Sequence, residues 1–215
     1  MVKGTLHPWL EASDVVPMFP SLVWKLQIEP GRRDAMQERI LSALAELRSG
    51  SPPLAPGSGW QSAPALHQRA DFGDFVACVE QGVASILRFL RIVDAPCEIT
   101  GCWANVLPRG AAHKMHSHPN NFLSGVYYVR THPGADTITF HDPRPQTAVI
   151  RPPVVELTAE NTDQVVVRVR DGTLLLFPSW LAHSVDANTS DEERVSVSFN
   201  VMFSAFAERL GKPLW

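Results

Sequence analysis

The amino-acid sequence predicts a mainly β, α+β fold in which two N-terminal helices brace a sandwich or jelly roll of short strands. Three observations carry that expectation. Helical apolar spacing is confined to the chain before Pro96, and strand-like runs follow it, separated by turn residues at intervals of roughly 10–20 positions. The 18 prolines and 13 glycines suit many short elements joined by turns better than a helical bundle.

The elements follow in order. Leu22, Trp24, Leu26 and Ile28 share one face of a half-buried strand that Pro30-Gly31 ends. From Arg33 to Leu47, Met36, Ile40, Leu41, Leu44 and Leu47 recur at helical spacing, and Ser49-Gly50 stops the helix. Residues 50–64 are rich in Gly, Ser and Pro, but Trp60 in their middle argues for a packed loop rather than a linker. A second helix is expected from Asp71 to Ile92, with Phe75, Val76, Val79, Val83, Ile86, Leu87 and Leu90 on one stripe. Strands are expected over Ile99–Leu107, Leu123–Arg130, Asp136–Phe140, Thr147–Arg151, Gln164–Arg170, Thr173–Phe177 and Arg194–Phe203. Ser204–Trp215 reads as a short helix or extended cap. One domain is expected over 1–215, with a strand and bracing helices in 1–95, a jelly-roll core in 96–203 and a tail in 204–215.

Composition narrows the function classes. With 45% hydrophobic residues the chain can bury a substantial core. A net charge of -3 and a pI near 6.2 argue against a general nucleic-acid or anionic-membrane binder. No run of 18 apolar residues exists to span a membrane. The start, Met-Val-Lys-Gly-Thr-Leu-His-Pro-Trp, lacks a signal peptide's apolar centre, so a soluble cytoplasmic protein is expected. Cys78, Cys97 and Cys102 are too few and too scattered for a disulfide framework or a cysteine-based zinc site, and read as small core residues.

Chemistry concentrates in two stretches. In His113-Lys-Met-His116-Ser-His118-Pro119, His116 and His118 are two residues apart and would project from one face of a strand, while His113 has the opposite parity. About 65 residues later, Leu174-Leu-Leu-Phe-Pro178-Ser-Trp-Leu-Ala-His183-Ser-Val185 supplies a further histidine. Histidines split two-plus-one across strands can hold a metal in a facial triad with open positions. In the last strand Val195, Val197, Phe199, Val201 and Phe203 alternate with Arg194, Ser196, Ser198, Asn200 and Met202. On a solvent-facing sheet that alternation is ordinary. Inside a barrel the polar face would line a pocket, with Arg194 placed to hold a carboxylate through two parallel hydrogen bonds. Trp103 and Trp180 read as core aromatics, with Trp180 also placed to wall the pocket, and Tyr127 packs opposite in parity to Tyr128.

The order HxH, SGVYYV, G-x-L-x-x-FPSWLxHxV and ERxSxSFN resembles a group of 2-oxoglutarate/Fe(II)-dependent oxygenases, related more distantly to the prolyl hydroxylases. Met18-Phe-Pro20 and Gly59-Trp-Gln-Ser62 share the likeness, which therefore covers nearly the whole chain. The resemblance implies a double-stranded β-helix with iron at one mouth. It implies His116 as first ligand, His183 as distal ligand and Arg194 on the far carboxylate of 2-oxoglutarate, joined there by Tyr128. Ser196 and Asn105 are lining candidates for the same co-substrate. His118 stands where the family at large places the aspartate of HxD, so the triad here is His116, His118 and His183. Asp142 and Asp186 lack the motif position for a substitute carboxylate. The implied reaction uses Fe(II), 2-oxoglutarate and O2 to hydroxylate a small-molecule or peptide substrate, with succinate as co-product; a homodimer is left open.

A second reading is a cupin-like three-histidine metalloprotein, an oxygenase, isomerase or binding module that does not use 2-oxoglutarate. Gly110-x5-His116-x-His118 fits the first half of a cupin motif, but Phe122 and Leu123 stand where its glutamate belongs. A third is a metal-free structural or sugar-binding jelly roll, which leaves the three histidines unexplained.

Overall fold

The computed structural model describes residue 9 and residues 14–55, 57–92, 95–144, 149–150 and 152–207. Within them the chain runs β1 (Trp24–Gln27), α1 (Pro30–Leu47), β2 (Trp60–Gln61), α2 (Gly73–Phe89), β3 (Cys97–Leu107), β4 (His113–His116) and β5 (Leu123–Arg130). It continues with β6 (Thr137–His141), β7 (Gln164–Arg168), β8 (Thr173–Pro178), β9 (His183–Val185), β10 (Arg194–Phe203) and α3 (Ser204–Ala207). One sheet has the order β1-β8-β5-β10-β3-β2 and the other β4-β9-β6-β7, all pairings antiparallel. The two sheets face each other as a jelly roll, and the helices lie on the outer face of the larger one. No helix of the described residues is long and apolar enough to cross a membrane.

Strand parity sorts the side chains into two cores. On β10, Val195, Val197, Phe199 and Val201 join Tyr127 of β5 and Leu174 and Leu176 of β8 in a cluster with Met36, Ile40, Phe75, Val79 and Ile86 of the helices. The alternate positions, Tyr128, Leu175 and Phe177, turn inward to meet Ile138, Phe140, Leu181 and Val185 between the sheets. The polar face of β10 therefore points into the barrel rather than to solvent. At Gly125 three strands crowd together: a Cβ there would lie 2.2 Å from Phe199 Cζ and 2.7 Å from the Leu175 carbonyl oxygen.

Several boundaries move for local reasons. α1 begins at Pro30 rather than Arg33, because proline is preorganised for the first helical position and the Glu29 carboxylate caps the amides of Gly31 and Arg32 at 3.0 Å each. Two short 3-10 turns, Leu66–Gln68 and Ala70–Phe72, delay α2 to Gly73. The 50–64 loop is pinned: Trp60–Gln61 adds to the edge of β3, and the Arg48 guanidinium lies 5.8 Å from the Trp60 ring centroid. β7 ends at Arg168, two residues earlier than expected, and the Val169 amide adds one further hydrogen bond, to the Asp136 carbonyl, in the same register. The strand expected over Thr147–Arg151 falls largely outside the described residues, and its two described positions, Val149 and Ile150, are exposed and unpaired with any strand. Trp180, expected in the core, is 55% exposed because it sits in the turn between β8 and β9. Residues 208–215 of the expected tail also lie outside the described residues.

Candidate metal centre

Between the sheets lies an open cavity of about 570 Å³ that His116, His118, His183, Tyr128, Arg194, Ser196 and Asn105 all line. β4 and β9 position the histidines. His113 pairs with Val185 and His116 with His183, so β4 advances three residues while β9 advances two. That extra residue is a β-bulge. Cross-strand partners share a face, and His183 and Val185 both face the cavity, so His113 and His116 do too. The parity that set His113 apart holds only for a regular strand, and the bulge cancels it. His118 lies beyond the end of β4, where its amide donates to the Ser179 carbonyl at 2.9 Å and its ring packs 5.8 Å from Trp103.

The ring centroids of His116 and His183 are 4.4 Å apart, those of His116 and His118 5.0 Å and those of His118 and His183 5.3 Å. One nitrogen from each ring lies within 4.8 Å of the other two. His116 Nδ1 sits 2.7 Å from the Lys114 carbonyl oxygen and His183 Nδ1 3.0 Å from that of Leu181. A carbonyl only accepts, so each Nδ1 carries the hydrogen and each Nε2 keeps its lone pair. Burial pushes both His118 and His183 down to about 4, helped by the neighbouring imidazoles and, at His183, opposed by the Leu181 carbonyl. Neutral imidazoles with free lone pairs are what a divalent transition metal requires, and the donor set fits one.

The far side of the cavity is built differently. Arg194 opens β10 at 2% exposure; its Nη1 donates to the Thr137 carbonyl at 2.8 Å and its guanidinium carbon lies 5.0 Å from the Tyr128 ring centroid. Arg194 Nε and the Tyr128 hydroxyl are both buried with no hydrogen-bond partner, and among the described residues no carboxylate pairs with Arg194. Burial raises the Tyr128 hydroxyl to about 12, against the pull of Arg194, so it stays a donor. Unmet buried donors beside an unpaired cation are costly and describe a place for an anion. Ser196 lies directly between Asn105 of β3 and Tyr128 of β5, so these three form one rung across the sheet. Asn105 donates to Ser198 Oγ at 3.0 Å.

Ser198 lines the cavity with Arg194 and Ser196, as the polar face of the last strand predicted, whereas Asn200 and Met202 of that face are not among its lining residues. Sequence reasoning missed Trp60 and Gln61, whose signal was an aromatic isolated in a polar loop, and Lys114 on the bulge. Asp142 is held by Arg144 and lines a separate cavity of about 1010 Å³ beside Trp180, outside the triad; Asp186 is not part of it either.

A barrel of this topology with three imidazoles opposite a buried arginine defines a jelly-roll metalloenzyme class. Residues 101–200, which include all seven residues named above, match the family model described as "Putative 2OG-Fe(II) oxygenase". This part of the chain, which holds the whole candidate site, is thus similar to the 2-oxoglutarate/Fe(II)-dependent oxygenases. A comparison with curated protein sequences gave no match. Among solved structures, the non-heme alpha ketoglutarate dependent carbocyclase SnoK from nogalamycin biosynthesis aligns at TM-score 0.61 and 15% identity, over 91% of this chain and 89% of that one. HygX from Streptomyces hygroscopicus, with nickel and 2-oxoglutarate bound, aligns at 0.60 and 14%, over 86% and 83%. A Pseudomonas putida prolyl-4-hydroxylase aligns at 0.58 and 16%, over 85% and 93%. At these identities the likeness establishes the fold, the double-stranded β-helix.

Proposed function

We propose that this enzyme hydroxylates a small-molecule or peptide substrate, using O2 and converting 2-oxoglutarate to succinate and carbon dioxide. The observation that carries the reading is the pairing, within one cavity, of three imidazoles with a buried arginine that has no carboxylate partner among the described residues. His116, His118 and His183 would hold the iron, which supplies the activation of dioxygen when bound. The Lys114 and Leu181 carbonyls fix the ring orientation of His116 and His183 and leave Nε2 as the donor. Arg194 and Tyr128 would hold the far carboxylate of 2-oxoglutarate, with Arg194 Nε and the phenol hydroxyl as ready donors. Ser196 and Asn105 line the span between. Val126, Ile138 and Phe177 give that part of the cavity an apolar wall.

SnoK, which is alpha ketoglutarate dependent, and HygX, whose structure has 2-oxoglutarate bound, support the co-substrate. The cupin-like reading has less support: Leu123, where a cupin would place its glutamate, is 1% exposed in the core, and Phe122 packs on Phe203. Anaerobic titration with Fe(II) and 2-oxoglutarate tests the reading. A weak visible charge-transfer band is expected, lost in His183→Ala, with succinate formed once oxygen is admitted. A protein that gives neither band nor succinate is not this enzyme.

A further inference from the structure

The cavity has a charge pattern opposite to that of the whole chain. The protein carries a net charge of -3, yet among the described residues Arg194 and Lys114 are the only charged side chains that line the cavity, and no Asp or Glu does. Lys114 is exposed at the mouth, makes no ion pair among the described residues, and stands on the bulge whose carbonyl orients His116. His113, brought inward by the same bulge, lies beside it, its ring centroid 6.3 Å from that of His116.

The consequence rests on the oxygenase reading. A divalent ion adds two positive charges and the 2-oxoglutarate dianion removes two, so the loaded cavity keeps the positive charge of Arg194 and Lys114. One carboxylate of the co-substrate is used at the metal and the other at Arg194. With His118 in place of a carboxylate ligand, no acidic side chain among the described residues offsets the charge left at the triad end. Uncompensated charge between low-dielectric walls favours an anion and focuses its approach.

We propose that the substrate bears a carboxylate, and that Lys114 with His113 forms the anion subsite that receives it beside the triad. The class is then an organic acid, or a peptide presenting an acidic group, oriented with its anionic end toward β4.

Acetate and acetamide are the matched probes, titrated anaerobically into the protein loaded with Co(II) and 2-oxoglutarate and followed by the visible spectrum of the ion and by calorimetry. Acetate is expected to give a saturable change and acetamide none. Lys114→Gln should weaken acetate binding by roughly three- to fivefold, as loss of one partly exposed charge contact does, and Lys114→Arg should restore it. A silent acetate titration, an equal response to acetamide, or acetate binding unchanged in Lys114→Gln overturns the subsite; the last is plain coordination to the ion. The 2-oxoglutarate-dependent spectrum recorded before any probe separates the two ideas. Its absence removes the oxygenase reading, whereas its presence with a failed acetate arm removes only the subsite.

Discussion

The guanidinium carbon of Arg194 lies 5.0 Å from the centre of the Tyr128 ring, and the two side chains are diagonal neighbours on adjacent strands. Tyr128 stands opposite Ser196, and Arg194 is two residues further along the same face of β10. Each of the pair has a buried donor with no acceptor. The arrangement is prepared for a guest that neither residue can supply.

Arg194→Ala should therefore raise the 2-oxoglutarate concentration needed for half-maximal turnover by about 10- to 150-fold, the worth of hydrogen bonds to a charged group. Tyr128→Phe should raise it less while leaving the ligand-free protein as stable or slightly more so, since it removes a buried hydroxyl without a partner. An unchanged requirement in both variants places the co-substrate elsewhere.

Replacing His183 by alanine should abolish stoichiometric metal in the purified protein, because this 5% exposed residue is held from both sides, by the Leu181 carbonyl and by Phe177. His118→Asp should keep metal but shift preference toward harder, oxygen-seeking ions such as Mn(II), which elemental analysis after competitive loading reads directly.

The metal-free protein should lose stability on mild acidification. In the unfolded chain His183 takes its proton near 6.5, whereas in the fold it does so only at about 4. Between those values the unfolded chain holds more protons, so stability falls as pH falls from 6.5 to 4 and then levels. His183 alone contributes roughly 3 kcal/mol across that window, and His118 acts in the same direction. Melting temperatures in chelator over this range check it; a profile no steeper than that of His183→Gln would count against the burial argument.

Gly125→Ala should destabilise the fold by about 1–3 kcal/mol or more. The new methyl would meet Phe199 Cζ at 2.2 Å and the Leu175 carbonyl oxygen at 2.7 Å, and the carbonyl belongs to a paired strand that cannot step aside. A denaturant midpoint equal to that of the wild type would show that β5, β8 and β10 are looser than they stand here.

The barrel was legible because β10 and β5 alternate strictly: Phe199 and Tyr127 face the helices while Ser196 and Tyr128 face inward, as period-two reading requires. Helix α1 was legible from its stripe but not its start, since Pro30 ends one element and begins the next. His113 was misplaced because periodicity assumes an unbroken ladder, and a bulge leaves no mark in the residue types around it. Lys114 escaped notice because a lysine in a strand is ordinary until the wall opposite it is known.

The bulge between His113 and His116 also bears on how this chamber can change over generations. A one-residue deletion there would restore a regular ladder with His113 still opposite Val185, and would take one side chain, Lys114 or Met115, off the chamber wall while leaving the β9 partner untouched. A single codon thus adds or removes one side chain at the chamber wall. Because β4 is a sheet edge, that edit disturbs one neighbouring strand and no second. Length variation at this edge would therefore reshape the chamber wall without rebuilding the barrel.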